Sequence, residues 1–209
     1  MYPEMLAVLA TGYYPLVSDA LLFHTRANGD DAGLFPLAVQ LYNGCCVRTV
    51  ALNGGDGRKF GGTIPGEANA GVEVYRQTLC NMGVPPEKMV ISSPADHTKQ
   101  ENDAFLDLAI THGWKSAIII AHLHQLPRAV LGMLKSMDDH SHLLRIYTAF
   151  PSPDDWFRPT RGSQGEARAR RLDDIAVERE KIPGFQAKGD LASYERLFTY
   201  IFNDRDRLP

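Results

Sequence analysis

Ala117-Ile118-Ile119-Ile120-Ala121 is the most apolar run in this chain of 209 residues, and its reading decides the fold. Three consecutive β-branched residues leave no alternate position for water. A strand with one wet face alternates apolar and polar residues, whereas a strand covered on both faces reads as a continuous apolar run. The run therefore predicts a central parallel strand with helices above and below it. It is far shorter than the ~18 apolar residues that mark a membrane helix.

Helical patterns flank this strand on both sides. Upstream, Thr98-Lys99-Gln100-Glu101 has the form of a capping box, in which Thr98 and Glu101 satisfy each other's backbone amides. It opens a helix to about His112, closed by Gly113. Downstream, Pro127 suits the first turn of a helix ending near Met137. A further apolar run, Leu143 to Tyr147, follows.

The amino-terminal part repeats the alternation. Ala20 to Phe23 and Thr49 to Leu52 read as strands, as does Met89-Val90-Ile91. A helix fits Phe35 to Asn43, with Gly44 expected in the left-handed conformation that closes it. Another runs from about Glu67 to Met82, its residues Ala68, Val72, Tyr75, Leu79 and Met82 recurring at steps of four and three. Gly83 ends it, and Pro85-Pro86 cannot continue it.

Five β-α units in succession predict an α/β fold: a three-layer α/β/α sandwich with a mostly parallel, Rossmann-like sheet. We expect one domain over residues 1–209, with its core at about 19–150. A helical C-terminal extension occupies about 151–209, comprising a charged segment from Gly165 to Lys181 and a last helix from Leu191 to Phe202.

Composition narrows the function classes. Hydrophobic residues make up 44% and charged residues 22%, the range of an ordinary globular domain. The net charge of -3 supplies no pull toward nucleic acid or acidic membranes. The arginine-rich run from Arg158 to Arg171 is interleaved with or followed by Glu166, Asp173, Asp174, Glu178 and Glu180, which reads as a self-paired solvated face. Three cysteines, Cys45, Cys46 and Cys80, without metal spacing point to reduced thiols. Met1 to Leu9 lacks the basic start of a signal peptide, so a cytoplasmic protein without membrane partner is expected.

In open parallel sheets, ligands bind beyond the carboxyl ends of the strands. Here that edge collects polar residues from four loops: His24, Arg26, Asn28, Asp30 and Asp31; Asn53, Gly54, Gly55 and Asp56; Ser92, Ser93, Asp96, His97 and Thr98; His122, His124, Gln125 and Arg128. The glycines of Asn53-Gly54-Gly55-Asp56-Gly57 permit close backbone approach to a ligand, although the loop lacks both the Walker and the dinucleotide-binding spacing. Glu67 opens a helix, where a carboxylate is either a cap or a ligand contact. Asn102 has no capping role and is a pocket candidate, beside Glu101. His122 and His124 alternate about Leu123, so both face one side if the strand reaches them. An imidazole there suits proton transfer near neutral pH, and no metal-ligand signature accompanies the pair. Arg128, in the first turn of a helix, suits an anionic group.

These motifs, in this order, resemble the YdcF- and SanA-like family, a domain of unknown function with a Rossmann-like fold. The resemblance lies in Ala38-Val39-Gln40-Leu41-Tyr42-Asn43-Gly44, Leu52-Asn53-Gly54-Gly55, Gly66-Glu67-Ala68, Met82-Gly83-Val84-Pro85, His97 to Asn102, and Leu126-Pro127-Arg128-Ala129. It covers about residues 19–150. The chain differs from the family pattern at Phe23-His24-Thr25-Arg26, which replaces a glycine-rich turn, at Ala121, which replaces threonine, and at Gln125, which stands where the family has histidine. The resemblance implies a nucleotide-like or S-adenosylmethionine-like ligand.

Three functions follow as expectations. The first is a small-molecule site for a phosphorylated, nucleotide-like or adenosyl ligand, with Gly54, Gly55 and Arg128 on its anionic part and Glu67 and Asn102 orienting it. Asn53, Asp56, Thr98, Glu101 and Gln125 complete that lining. The second is a hydrolase or transferase in which His122, His124 and Glu67 do acid-base work. The third is an interaction module with a degenerate site, signalled by Phe60, Trp156 or Phe157 blocking the pocket. No specific cofactor is indicated.

Overall fold

Alternate residues along the central strands leave for opposite layers, and that division organises the molecule. In a computed structural model, which describes residues 17–24, 33–55, 70–151, 157, 159–161, 167–168 and 170–208, five strands form one sheet. They are β1 (Ser18–Phe23), β2 (Val47–Leu52), β3 (Met89–Ile91), β4 (Ser116–Ile120) and β5 (Arg145–Ala149). Their order is β3-β2-β1-β4-β5 and every pairing is parallel. Leu21, Phe23, Val50, Leu52, Ile118 and Ile120 enter one core cluster. Leu22, Ala51, Ala117 and Ile119 enter the other. The chain is an α/β sandwich of three layers, and the apolar run at its centre is a strand buried on both faces, as read from the sequence.

Helices α1 (Leu34–Asn43) and α2 (Val72–Asn81) cover the first face, contributing Leu34, Phe35, Ala38, Leu41, Tyr75 and Leu79. Phe23, Phe35 and Tyr75 meet there with ring centroids 5.1–5.5 Å apart. Helices α3 (Thr98–His112) and α4 (Leu126–Asp139) cover the second face. Met82, expected on the buried stripe of α2, is exposed, because the helix ends before it and Gly83 turns the chain away at φ +100°.

The C-terminal extension is less regular than its sequence pattern. Short strands β6 (Thr160–Arg161) and β7 (Ala167–Arg168) pair antiparallel, β7 lying where the start of a charged helix was expected. Helix α5 (Asp174–Lys188) begins only after a 3-10 turn at Arg171–Asp173, and it runs through Pro183. Helix α6 (Tyr194–Thr199) is capped by Ser193, whose hydroxyl accepts from the Arg196 amide at 3.1 Å, and continues as a π-helical turn, Tyr200–Asp204. Ile182, Leu191, Leu197, Tyr200 and Ile201 bury this segment in the core shared by α3 and α4.

Tyr200 fastens the extension to the outer strand. Its hydroxyl donates to the Leu144 carbonyl at 2.7 Å and accepts from the Ile146 amide at 2.7 Å. An edge strand presents unpaired backbone groups, and this phenol fills two of them. Burial pushes the phenol above its ordinary pKa, so it stays a donor.

The end of α1 differs from expectation by one residue. Gly44 is not left-handed, at φ -75°. Cys45 takes that conformation, at φ 56°, and the Cys46 amide reaches back to the Leu41 carbonyl at 2.9 Å. Gly44 instead continues the turn, where a Cβ would lie 3.1 Å from the Gln40 carbonyl.

Candidate functional site

The strand order reverses direction at β1, whose neighbours β2 and β4 lead the chain to opposite sides of the sheet. Loops leaving the carboxyl ends at such a point diverge and open a crevice. His24 follows β1 directly, and its amide donates to the Ile120 carbonyl of β4 at 3.3 Å. Asn53 follows β2, and both residues are buried.

Glu101 joins them. The capping box expected at Thr98 and Glu101 is displaced by one residue. His97 is the N-cap of α3, its ring accepting from the Gln100 amide at 3.5 Å, while Gln100 Oε1 accepts from the Asp96 amide at 2.9 Å. Glu101 is thereby released from capping and turns inward, 6% exposed. Its Oε2 lies 2.8 Å from His24 Nδ1, and its Oε1 accepts from Asn53 Nδ2 at 3.3 Å. A carboxylate on the first turn of a helix gains from the free amides there.

Asn53 organises the edge as well as contacting Glu101. Its side chain pairs with the Ala95 backbone at both ends, donating to the carbonyl at 2.8 Å and accepting from the amide at 2.9 Å. It also accepts from the Gly55 amide at 3.2 Å. The loops after β2 and β3 are therefore locked together under the first turn of α3. Gly54 is needed by packing, since a Cβ there would meet the Ser92 carbonyl oxygen at 2.2 Å. Gly55 has more room, with the nearest atom 3.8 Å from its virtual Cβ.

His122 and His124 lie past the end of β4, which stops at Ile120. Both are nonetheless buried on one side of the turn, with rings stacked 5.7 Å apart and 4° from parallel. The Gln125 amide closes this turn onto the His122 carbonyl at 2.8 Å, and its side-chain oxygen is buried without a hydrogen-bond partner among the described residues.

The first turns of α3 and α4 are tied together beside this cluster. Arg128 Nη1 donates to Thr98 Oγ1 at 3.0 Å. Arg128 Nε also pairs with Glu178 of the extension at 2.6 Å, and the guanidinium lies 5.7 Å from the Phe185 ring centre. Lys181 reaches the other Glu178 oxygen at 2.8 Å. Burial alone raises the Glu178 pKa, but the charge of Arg128 and the hydrogen bonds from Lys181 and Arg128 outweigh it and hold the carboxyl below its usual range. The arginine expected to meet an anion thus already faces a carboxylate of its own chain.

Asn102 has the structural role its sequence context did not supply. It is fully buried between α3 and α4, and its Nδ2 donates to the Ala129 carbonyl at 3.3 Å. A Cβ at Gly132 would strike that nitrogen at 2.7 Å, so the glycine makes room for the amide. Its Oδ1 is buried without a partner among the described residues.

The edge therefore brings together His24, Asn53 and Glu101 by direct contact, and links Thr98 with Arg128 in a second group. Glu67 and Asp56, with Arg26, Asn28, Asp30 and Asp31, lie outside the described residues, as do Phe60 and Trp156. Phe157 is 70% exposed. His24 was one of many polar rim residues in the sequence reading, and its pairing with Glu101 across 77 positions had no local signal. Among the described residues, no group of three or more His, Cys, Asp or Glu side chains is arranged to hold a metal ion, and no helix is long and apolar enough to cross a membrane. No protein-family model and no curated protein matches this sequence.

Proposed function

We propose that this chain is a YdcF/SanA-like small-molecule-binding protein of the cytoplasm, whose site lies at the carboxyl edge of the sheet around β1 and β4. Its ligand is phosphorylated, nucleotide-like or S-adenosylmethionine-like. The observation that carries this reading is the buried His24–Glu101–Asn53 cluster, built from three separate elements at the point where the strand order reverses. A carboxylate is costly to bury, and a fold that needed only stability would place apolar side chains there. Binding energy from a ligand offsets such a cost.

Thermal unfolding with AMP, UDP-glucose and S-adenosylmethionine tests it. A probe at ~100 times its dissociation constant adds ~2.7 kcal/mol to stability and raises the melting temperature. No shift with any of the three, up to the solubility of each, removes the support for the reading.

The stacked pair His122 and His124 favours a second reading, a hydrolase or transferase with acid-base chemistry. Replacing each histidine by glutamine then lowers turnover more than binding. Equal affinity and no turnover on phosphate esters or glycosides points back to a binding protein.

A further inference from the structure

His24 is 4% exposed, and among the described residues only its Nδ1 has a hydrogen-bond partner. Glu101 Oε1 accepts a hydrogen bond from Asn53 Nδ2, and its Oε2 lies 2.8 Å from His24 Nδ1. An ionised carboxylate only accepts, so beside one the imidazole carries its proton on Nδ1. A neutral ring with its proton on Nδ1 presents a lone pair at Nε2. That nitrogen is buried and has no hydrogen-bond partner among the described residues.

A second buried acceptor lies past the neighbouring strand. Gln125 Oε1, in the turn after β4, also lacks a partner among the described residues. β1 and β4 pair in register, Phe23 beside Ile120, so these residues follow adjacent strand ends. Both atoms want a donor. A phosphate or carboxylate only accepts and satisfies neither, whereas a group with several O–H bonds can satisfy both.

We infer that the lone pair of His24 Nε2, held by Glu101 on the far side of the ring, accepts a hydrogen bond from a hydroxyl of a ribosyl or glycosyl group, with Gln125 Oε1 receiving a second. This rests on the small-molecule site proposed above and names the part of the ligand that meets the β1 and β4 ends.

Nitrogen NMR of the protein labelled with 15N-histidine tests the inference, the His24 signals being identified by their loss in His24→Phe. The expected free protein has a protonated Nδ1 and a bare Nε2 at His24. Of AMP, UDP-glucose and S-adenosylmethionine, the probe that raises the melting temperature also moves the Nε2 signal toward its hydrogen-bonded position. That probe binds His24→Phe about tenfold more weakly. For AMP, the 2′,3′-dideoxy analogue loses a similar factor in the natural protein and nothing further in the variant. Should His24→Phe not fold, His24→Gln supplies the assignment, and the nitrogen signal on addition of each probe, with the dideoxy comparison, decides in the natural protein.

A probe that stabilises the protein without moving Nε2 overturns the inference and leaves the site. So does a proton on Nε2 in the free protein. A panel in which nothing binds overturns both.

Discussion

The two ends of the parallel sheet each carry a partly or fully buried carboxylate, and they use it in opposite ways. At the amino edge, Asp19 Oδ2 accepts from the Lys115 amide at 2.8 Å, the Ser116 amide at 3.1 Å and the Ser116 hydroxyl at 3.2 Å. Its other oxygen takes Arg48 at 3.1 Å. All these donors tie the start of β1 to the starts of β2 and β4, so the charge is spent on holding strands together. At the carboxyl edge, Glu101 holds side chains rather than strand ends. One of those side chains, His24, presents a second nitrogen that nothing described fills. Among the described residues, the amino edge pairs both oxygens of its carboxylate with strand-end donors, and the carboxyl edge leaves His24 Nε2 without a partner.

The largest test of that contrast is Gly54→Ala. The added methyl would sit 2.2 Å from the Ser92 carbonyl oxygen, a backbone atom that cannot swing aside. We expect a loss of about 3 kcal/mol, the upper part of the range for overpacking. For a chain of this length that is a fall of roughly 6–12 °C in melting temperature. Gly55→Ala, with its nearest neighbour at 3.8 Å, has no such clash and reports on ligand approach alone. Equal destabilisation by both substitutions breaks the division between a packing glycine and a site glycine.

Next in size is the direct comparison of the two carboxylates. Asp19→Ala leaves the Lys115 and Ser116 amides without their acceptor and should cost about 2 kcal/mol in urea unfolding, with ligand affinity unchanged. Glu101→Gln keeps the shape and one acceptor oxygen, so its effect should fall mainly on affinity, weakened about tenfold through the altered His24. The contrast between the edges fails if Asp19→Ala weakens binding as much as Glu101→Gln does.

Why the edges were unequally legible follows from what each depends on. The strands were readable because burial on both faces demands apolar residues at every position, as in Ala117 to Ala121. The polar rim was readable because strand ends in such folds are known from strand positions alone. The pairing of His24 with Glu101 was not. Thr98-Lys99-Gln100-Glu101 satisfies a local capping pattern, and the same glutamate also reaches a histidine brought near by the sheet. Only the tertiary contact decides, because His97 and Gln100 can cap the helix just as well. Arg128 was placed correctly in the first turn of α4, but its partner Glu178 lies 50 residues on, in an extension whose ribbon and π-turn no periodicity announces.

That ion pair sets a pH test at the carboxyl edge. The Glu178 carboxyl has a folded-state pKa below its unfolded value, so it contributes stability above the unfolded pKa. The contribution is lost as pH falls through the lower, folded value. Glu178→Gln retains acceptor and packing but not charge, and we expect it to cost about 1.5 kcal/mol at neutral pH. The gap between variant and natural protein should close in acid, below the ordinary glutamate range, when unfolding is followed against pH. A gap that persists at low pH assigns the loss to shape instead of charge.

The smallest effect belongs to the amino edge and should have the opposite sign. Cys45 joins α1 to β2 in a left-handed conformation, φ 56°, which costs a residue with a Cβ about 1–2 kcal/mol. Its side chain is exposed, with its sulfur 3.9 Å from the Asn43 carbonyl, so little packing would be lost with it. Glycine removes the steric cost but gives the unfolded chain more freedom, which takes back roughly 0.5–1 kcal/mol. Cys45→Gly should therefore stabilise by about 0.5–1 kcal/mol, the difference of these two terms. Ligand affinity should not change, because the turn lies at the end of the sheet away from His24. Melting curves with and without AMP separate the two effects: an unchanged or lower melting temperature means Cys45 carries no strain. A changed response to AMP means that the amino edge reaches the site after all.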